Sequence, residues 1–175
     1  MTAAHKRVAF DEMPEAEFIA AMAPLFEGAP RFLRRLAAAR PFGSSEALFG
    51  RAVEIADEMP EDEQIELVDA HPRLGAAPAS VSALSFVEQG YGTPGVGSSS
   101  LAAELERLND AYEARFGFRY CVFVAGRSRE ELIPGMASSL GADRAAELRR
   151  ALRAVVDIAR DRYERAGIGA SEARP

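Results

Sequence analysis

Apolar side chains recur along most of this chain at the three-to-four-residue spacing of amphipathic helices. Between Glu15 and Phe26, the residues Phe18, Ile19, Met22, Leu25 and Phe26 mark one face of a first helix, which Pro24 kinks or shortens and Gly28 and Pro30 interrupt. Pro30 suits the first turn of a second helix with Phe32, Leu33 and Leu36 inward, ended by Pro41 and Gly43. Ser44 or Ser45 caps a third helix, whose buried stripe is Leu48, Phe49, Ala52, Val53 and Ala56. Pro60 opens a fourth, with Glu61, Asp62 and Glu63 in its first turn where the helix dipole favours acid. It should stop at His71, because Pro72 disfavours helical dihedrals in the residue before it.

From Gly75 to Ser100 the chain is rich in Gly, Ala, Ser and Pro, which predicts irregular backbone with one short helical turn around Ser85 to Gln89. Leu84, Phe86 and Val87 suggest that the first half of this stretch packs. Leu101, Leu105, Leu108, Tyr112 and Phe116 then mark a long helix that Gly117 can end in a left-handed conformation. The run from Phe118 to Val124 is aromatic and β-branched, yet no comparable strand exists for it to pair with, so it reads as extended backbone buried against helices. Ser128 with Glu131 forms a capping box for a helix that Pro134-Gly135 should disturb early. Asp143 caps the last helix, which carries Leu148, Leu152, Val155 and Ala159 on one face and ends near Gly167. The predicted fold is all-α: a single-domain bundle of about seven to nine helices with one buried extended segment, and with residues 1–10 and 168–175 mobile.

Composition narrows what such a bundle can do. The 175 residues suit one domain, and a net charge of −6 argues against a nucleic-acid surface. One cysteine, Cys121, excludes an intrachain disulfide and the paired-cysteine zinc pattern, so a cytoplasmic protein is expected. Met1 to Arg7 precedes no apolar run of signal length, and no apolar stretch is long enough for a membrane span; neither secretion nor a membrane partner is expected.

Candidate chemistry is sparse. No phosphate-binding glycine loop, nucleophile elbow or paired-histidine zinc motif occurs. Of two histidines, His5 lies near the start, whereas His71 sits where a helix is forced to end. Free carbonyls at that end would favour a protonated imidazole and hence a proton donor. The plainer reading is a helix-terminating histidine that bonds a carbonyl. Ser85 and Glu88 share a face of one helical turn, and a carboxylate there could orient His71 and raise its pKa; otherwise Glu88 is an exposed surface residue. Cys121 reads more readily as a small buried hydrophobe than as a nucleophile. Arg127, Arg129, Arg160 and Arg162 could meet an anion or simply face solvent.

Several short motifs occur in a specific order: Leu25-Phe26-Glu27 with Pro30, Arg40-Pro41-Phe42, His71-Pro72 with Leu74, Ser85 with Glu88-Gln89, Phe116-Gly117-Phe118, and Ile158-Ala159-Arg160 with Arg162. In this the chain resembles the OHCU (2-oxo-4-hydroxy-4-carboxy-5-ureidoimidazoline) decarboxylase family of purine catabolism. The resemblance implies an all-helical fold, no cofactor, no metal, often a homodimer, and conversion of the ureidoimidazoline acid to S-allantoin. It implies catalytic roles for His71 and Glu88. It implies substrate contacts from Pro72, from Ser85, Phe86, Val87, Glu88 and Gln89, and from the backbone of Tyr120, Cys121, Val122, Phe123 and Val124. Arg162 matches a late arginine expected to meet the substrate carboxylate. Arg73, Arg119 and Phe123 depart from the family's usual residues. A related helical enzyme acting on another ureido or imidazoline acid, and a non-catalytic helical binding protein, are the competing readings.

Overall fold

The computed structural model describes residues 9–91 and 99–167. The expectations for the two mobile ends fall largely on residues 1–8 and 168–175, outside the described residues, as does much of the glycine-rich stretch at 92–98. Eight α-helices are present among the described residues: α1 (Glu15–Met22), α2 (Pro30–Ala38), α3 (Ser45–Glu58), α4 (Glu61–Asp69), α5 (Ala83–Glu88), α6 (Ser99–Phe116), α7 (Arg129–Ser139) and α8 (Arg144–Arg165). No strand occurs among them.

The capping chemistry is as the sequence implies. The side chains of Ser44, Ser128 and Asp143 each accept a hydrogen bond from the third following amide, and Glu131 returns one to complete the capping box. Pro24 shortens the first helix, which ends at Met22, and the chain then turns through Glu27 and Gly28, both at positive φ. In α3, Ile55 is fully inward and Val53 only half-buried.

The expected early break of α7 at Pro134 does not happen, and the helix runs on to Ser139. Pro134 removes one amide bond on the solvent side, while Leu132 and Met136, one turn apart, stay buried and hold the helix to the core.

Helix α8 is the spine. It packs on α3 and α4, burying Leu148, Ala151, Leu152, Val155, Val156 and Ala159. Helix α2 bridges α1, α3 and α4, and α6 pairs with α7. Charge reinforces α2 against α4: Arg31 meets Asp62 and Glu66, and Arg35 meets Glu63. The segment from Phe118 to Cys121 runs without regular structure into the interior, where the rings of Phe118 and Tyr120 pack edge-on against Tyr112 of α6. Its Arg119 bonds to Asp69 and His71, which ties the segment to the C-terminal end of α4.

Candidate active site

Helix α4 stops at Asp69, the chain turns through Ala70, and His71 is left 4% exposed at the head of a cleft of about 380 Å³, mouth included. Nδ1 of His71 lies 3.3 Å from the Leu67 carbonyl. A carbonyl oxygen can only accept, so Nδ1 carries the hydrogen and the lone pair sits on Nε2. That Nε2 is buried and has no hydrogen-bond partner among the described residues. Leaving such an atom unsatisfied costs about 1–3 kcal/mol, an expense usually tolerated where function needs it.

The expectation of a protonated imidazole is not met. Burial first, and then the charge of Arg162, push the His71 pKa down to about 4, against smaller upward pulls from Glu27 and the Leu67 carbonyl. The helix-end carbonyls that should have favoured the cation are already served: Arg119 Nη1 donates to the carbonyls of Asp69 and His71, and its amide donates to Asp69 Oδ1. His71 is therefore a neutral acceptor at physiological pH.

Helix α5 forms the opposite wall. As the spacing predicts, Ser85 and Glu88 share a face, and both meet Arg162 of α8. The guanidinium is 3% exposed and donates to both oxygens of Glu88, to Glu27 and Ser85, and to the Pro24 carbonyl. With its donors so engaged, Arg162 anchors protein carboxylates here rather than presenting a free fork to a substrate carboxylate, as the family resemblance led us to expect. Glu27, which sequence reasoning did not place in the site, also accepts from the hydroxyls of Ser82 and Ser85. Burial alone would raise its carboxyl, but these hydroxyl bonds and Arg162 outweigh burial and hold it below the usual range.

The floor is the irregular strip. Tyr120, Cys121, Val122 and Val124 line the cleft beside His71 and Pro72, with Leu74 and Ile158, members of the ordered motifs not expected in the site, as further apolar lining. No protein acceptor takes the backbone N–H groups of Tyr120 to Val124 among the described residues. Burial holds the Cys121 thiol up at about 12, which rules out a thiolate nucleophile near neutrality.

Gln89 lines the end of the cleft, donating to the Arg73 carbonyl and accepting from the Gly75 amide. Gly75 is at positive φ, and a Cβ there would lie 2.9 Å from Leu105, so only glycine lets this loop come close enough for the bond.

Three expected contact residues lie outside the cleft. Phe86 packs at a tilt against Tyr91, while Val87 and Phe123 line a neighbouring groove. Leu84 and Val87, expected to pack, are 40% and 66% exposed. Among the other arginines considered for an anion, Arg129 is buried against Tyr91 and donates to the Gln89 carbonyl, and Arg127 and Arg160 are exposed. The departures at Arg73 and Arg119 leave the cleft lining untouched: Arg73 pairs with Glu113 and Asp110 of α6. Among the described residues, no cluster of three or more His, Cys, Asp or Glu side chains could hold a metal ion, and no helix is long and apolar enough to cross a membrane.

An all-helical scaffold thus presents an unpaired imidazole nitrogen, a fixed carboxylate and a row of free amides around one small cleft, the makings of a site for a compact, planar polar molecule. Residues 11–164 match the profile of OHCU decarboxylase, and the chain belongs to that family. It is 27% identical over 154 residues to a uric acid degradation bifunctional protein of Bacillus sp. (strain TB-90), covering 88% of this chain and 30% of that one, so it spans about a third of such bifunctional relatives. It is 27% identical over 149 residues to a 2-oxo-4-hydroxy-4-carboxy-5-ureidoimidazoline decarboxylase of Haloferax volcanii, with 85% and 88% covered. The corresponding decarboxylase of Amia calva is 29% identical over 152 residues, with 85% and 86% covered. The all-helical fold is shared with the crystal structure of OHCU decarboxylase in the presence of (S)-allantoin, at a TM-score of 0.65 and 21% identity over 83% of this chain and 96% of that one.

Proposed function

We propose that this chain decarboxylates 2-oxo-4-hydroxy-4-carboxy-5-ureidoimidazoline to (S)-allantoin in urate degradation, without a cofactor. The observation that carries the reading is the unpartnered Nε2 of a neutral His71 in a cleft also lined by Tyr120, Cys121, Val122 and Val124, whose amides have no protein acceptor among the described residues. Nε2 accepts the proton of the substrate hydroxyl. Glu88, fixed by Arg162, accepts from the ureido N–H groups, and the strip's amides grip the carbonyl and carboxylate oxygens, the role the family resemblance gives this backbone. The apolar lining from Leu74, Val122 and Ile158 lowers the polarity around the carboxylate, which favours loss of its charge as CO₂.

The bond from the ring carbon to the carboxylate breaks, and its electron pair moves toward the adjacent C=N bond. The ring nitrogen takes a proton from water. The enol gives its hydroxyl proton to Nε2 as it collapses toward the ketone, and Nε2 returns that proton to the former C=N carbon. One proton is consumed overall, as a carboxylate-to-CO₂ conversion requires. Delivery from one side sets the S configuration.

Freshly generated substrate incubated with the protein should give (S)-allantoin well above the spontaneous racemic background, as read by circular dichroism or chiral chromatography. Racemic product at the spontaneous rate would refute the assignment. The same reading takes the whole chain as one domain and a homodimer of the cytoplasm, and sedimentation velocity reads the oligomeric state directly.

A further inference from the structure

Behind the cleft floor lies a charged cluster that the proposed chemistry does not use. Glu147 and Arg150 sit one turn apart on α8. Glu147 is 3% exposed and accepts from the Tyr112 hydroxyl at 2.6 Å and from Arg150 Nε and Nη2 at 2.8 and 2.6 Å. Arg150 does not line the cleft. Its third bond runs from Nη1 to the Cys121 carbonyl at 2.9 Å, with the guanidinium 5.0 Å from the centre of the Tyr120 ring.

A trans peptide directs its C=O and N–H to opposite sides. The Cys121–Val122 bond is trans, since Arg40–Pro41 is the only cis bond among the described residues. With the Cys121 oxygen turned toward Arg150, the Val122 N–H is turned away from it. Arg127 repeats the arrangement at Phe123, donating to that carbonyl at 2.6 Å, which turns the Val124 N–H the same way. Val122 and Val124 both line the cleft, and neither amide has a protein acceptor among the described residues. Glu147 is buried while the Arg150 side chain keeps 35% of its surface exposed; burying a carboxylate costs more than burying an apolar side chain of similar size, so packing alone gives Glu147 little reason to be charged.

We infer that Arg150, braced by Glu147 and Tyr112, is a positioning residue that turns the Val122 amide, with Arg127 turning that of Val124, into the cleft as a donor pair for the oxygens of a planar ureido acid. This rests on the proposed function for its ligand.

Two variants test it. Arg150→Lys keeps a charge on Glu147 but cannot span both Glu147 and Cys121. The double variant Glu147→Gln with Arg150→Met strands no buried charge and keeps an acceptor for Tyr112. In folded variants KM should rise roughly fivefold or more while kcat stays within about twofold, the signature of lost uniform binding. In the wild type, saturating (S)-allantoin should shift the amide resonances of Val122 and Val124, and the double variant, which leaves Arg127 in place, should lose the Val122 response. Variants with unchanged KM, or wild-type amides unmoved by (S)-allantoin, overturn the inference. If the wild type forms no allantoin, it is the proposed function that fails. Orientation is then read without ligand: rapid hydrogen exchange of the Val122 amide that slows in the double variant supports it, and equal exchange in both proteins refutes it.

Discussion

Helices α5 and α8, which meet at the cleft through Arg162, are held by opposite kinds of force. Helix α8 buries Leu148, Leu152, Val155, Val156 and Ala159 against α3 and α4, and is fixed by apolar packing. Helix α5 buries only Ser85, leaves Leu84 and Val87 largely in solvent, and is tied down by Glu27, Arg162 and the bonds around Gln89. The wall carrying Arg162 is therefore as rigid as the core, whereas the wall carrying Glu88 stands only as long as its charges do. Polar docking is directional, so it aims Glu88 more sharply than packing of a six-residue helix could.

The sharpest way to break this contrast is at the one residue both walls share. Arg162→Met leaves Glu27 and Glu88 without their cation, and should cost about 3–5 kcal/mol of stability and lower turnover at least 100-fold by freeing Glu88, an expectation on the order of the loss of a geometric anchor. Urea denaturation and allantoin formation read the two effects; a variant that keeps its activity would show that α5 docks by other means. Leu152→Ala on α8 should cost about 2–5 kcal/mol, whereas Val87→Ala on α5 should stay within roughly 0.5 kcal/mol. Similar losses in the two melts would erase the distinction.

A smaller effect follows from pH. His71 titrates near 4 when folded and near 6.5 when unfolded, so between those values the unfolded chain binds a proton that the folded chain does not, and stability falls as pH falls. The slope is at most about 1.4 kcal/mol per pH unit. The depressed carboxyl of Glu27 contributes stability that is present above its ordinary 4.5 and lost below it, so its window lies lower. His71→Asn should flatten the stability profile between pH 6.5 and 4.5 and leave the fall below it; an unchanged slope in the upper window would contradict a buried neutral imidazole.

Local chemistry made much of this legible in the sequence. The helix caps at Ser44, Ser128 and Asp143 need only neighbours a turn away, and the shared face of Ser85 and Glu88 follows from helical spacing alone. What stayed hidden depends on distant partners. Glu27 reaches Ser85 across 58 positions from a turn at positive φ, which no periodicity announces. His71 is neutral first because it is buried, which its place at a helix end does not announce, and then because Arg162, remote in sequence, adds positive charge nearby, while Arg119 occupies the helix-end carbonyls. The exposure of Leu84 and Val87 ran against their hydropathy because α5 is too short to bury more than one face. The passage of α7 through Pro134 depended on core contacts of Leu132 and Met136 that the Pro-Gly pair masks.

The central claim is that the unpartnered Nε2 of neutral His71 takes and returns the substrate proton, and the most direct measurement is the rate and chirality of allantoin formation by His71→Asn beside the wild type at pH 7. Asn offers an amide oxygen or nitrogen to the cleft but no titrating group. The expected outcome is a folded protein whose product forms at the spontaneous rate and as a racemate. (S)-Allantoin produced by that variant at a rate near the wild type's would contradict it.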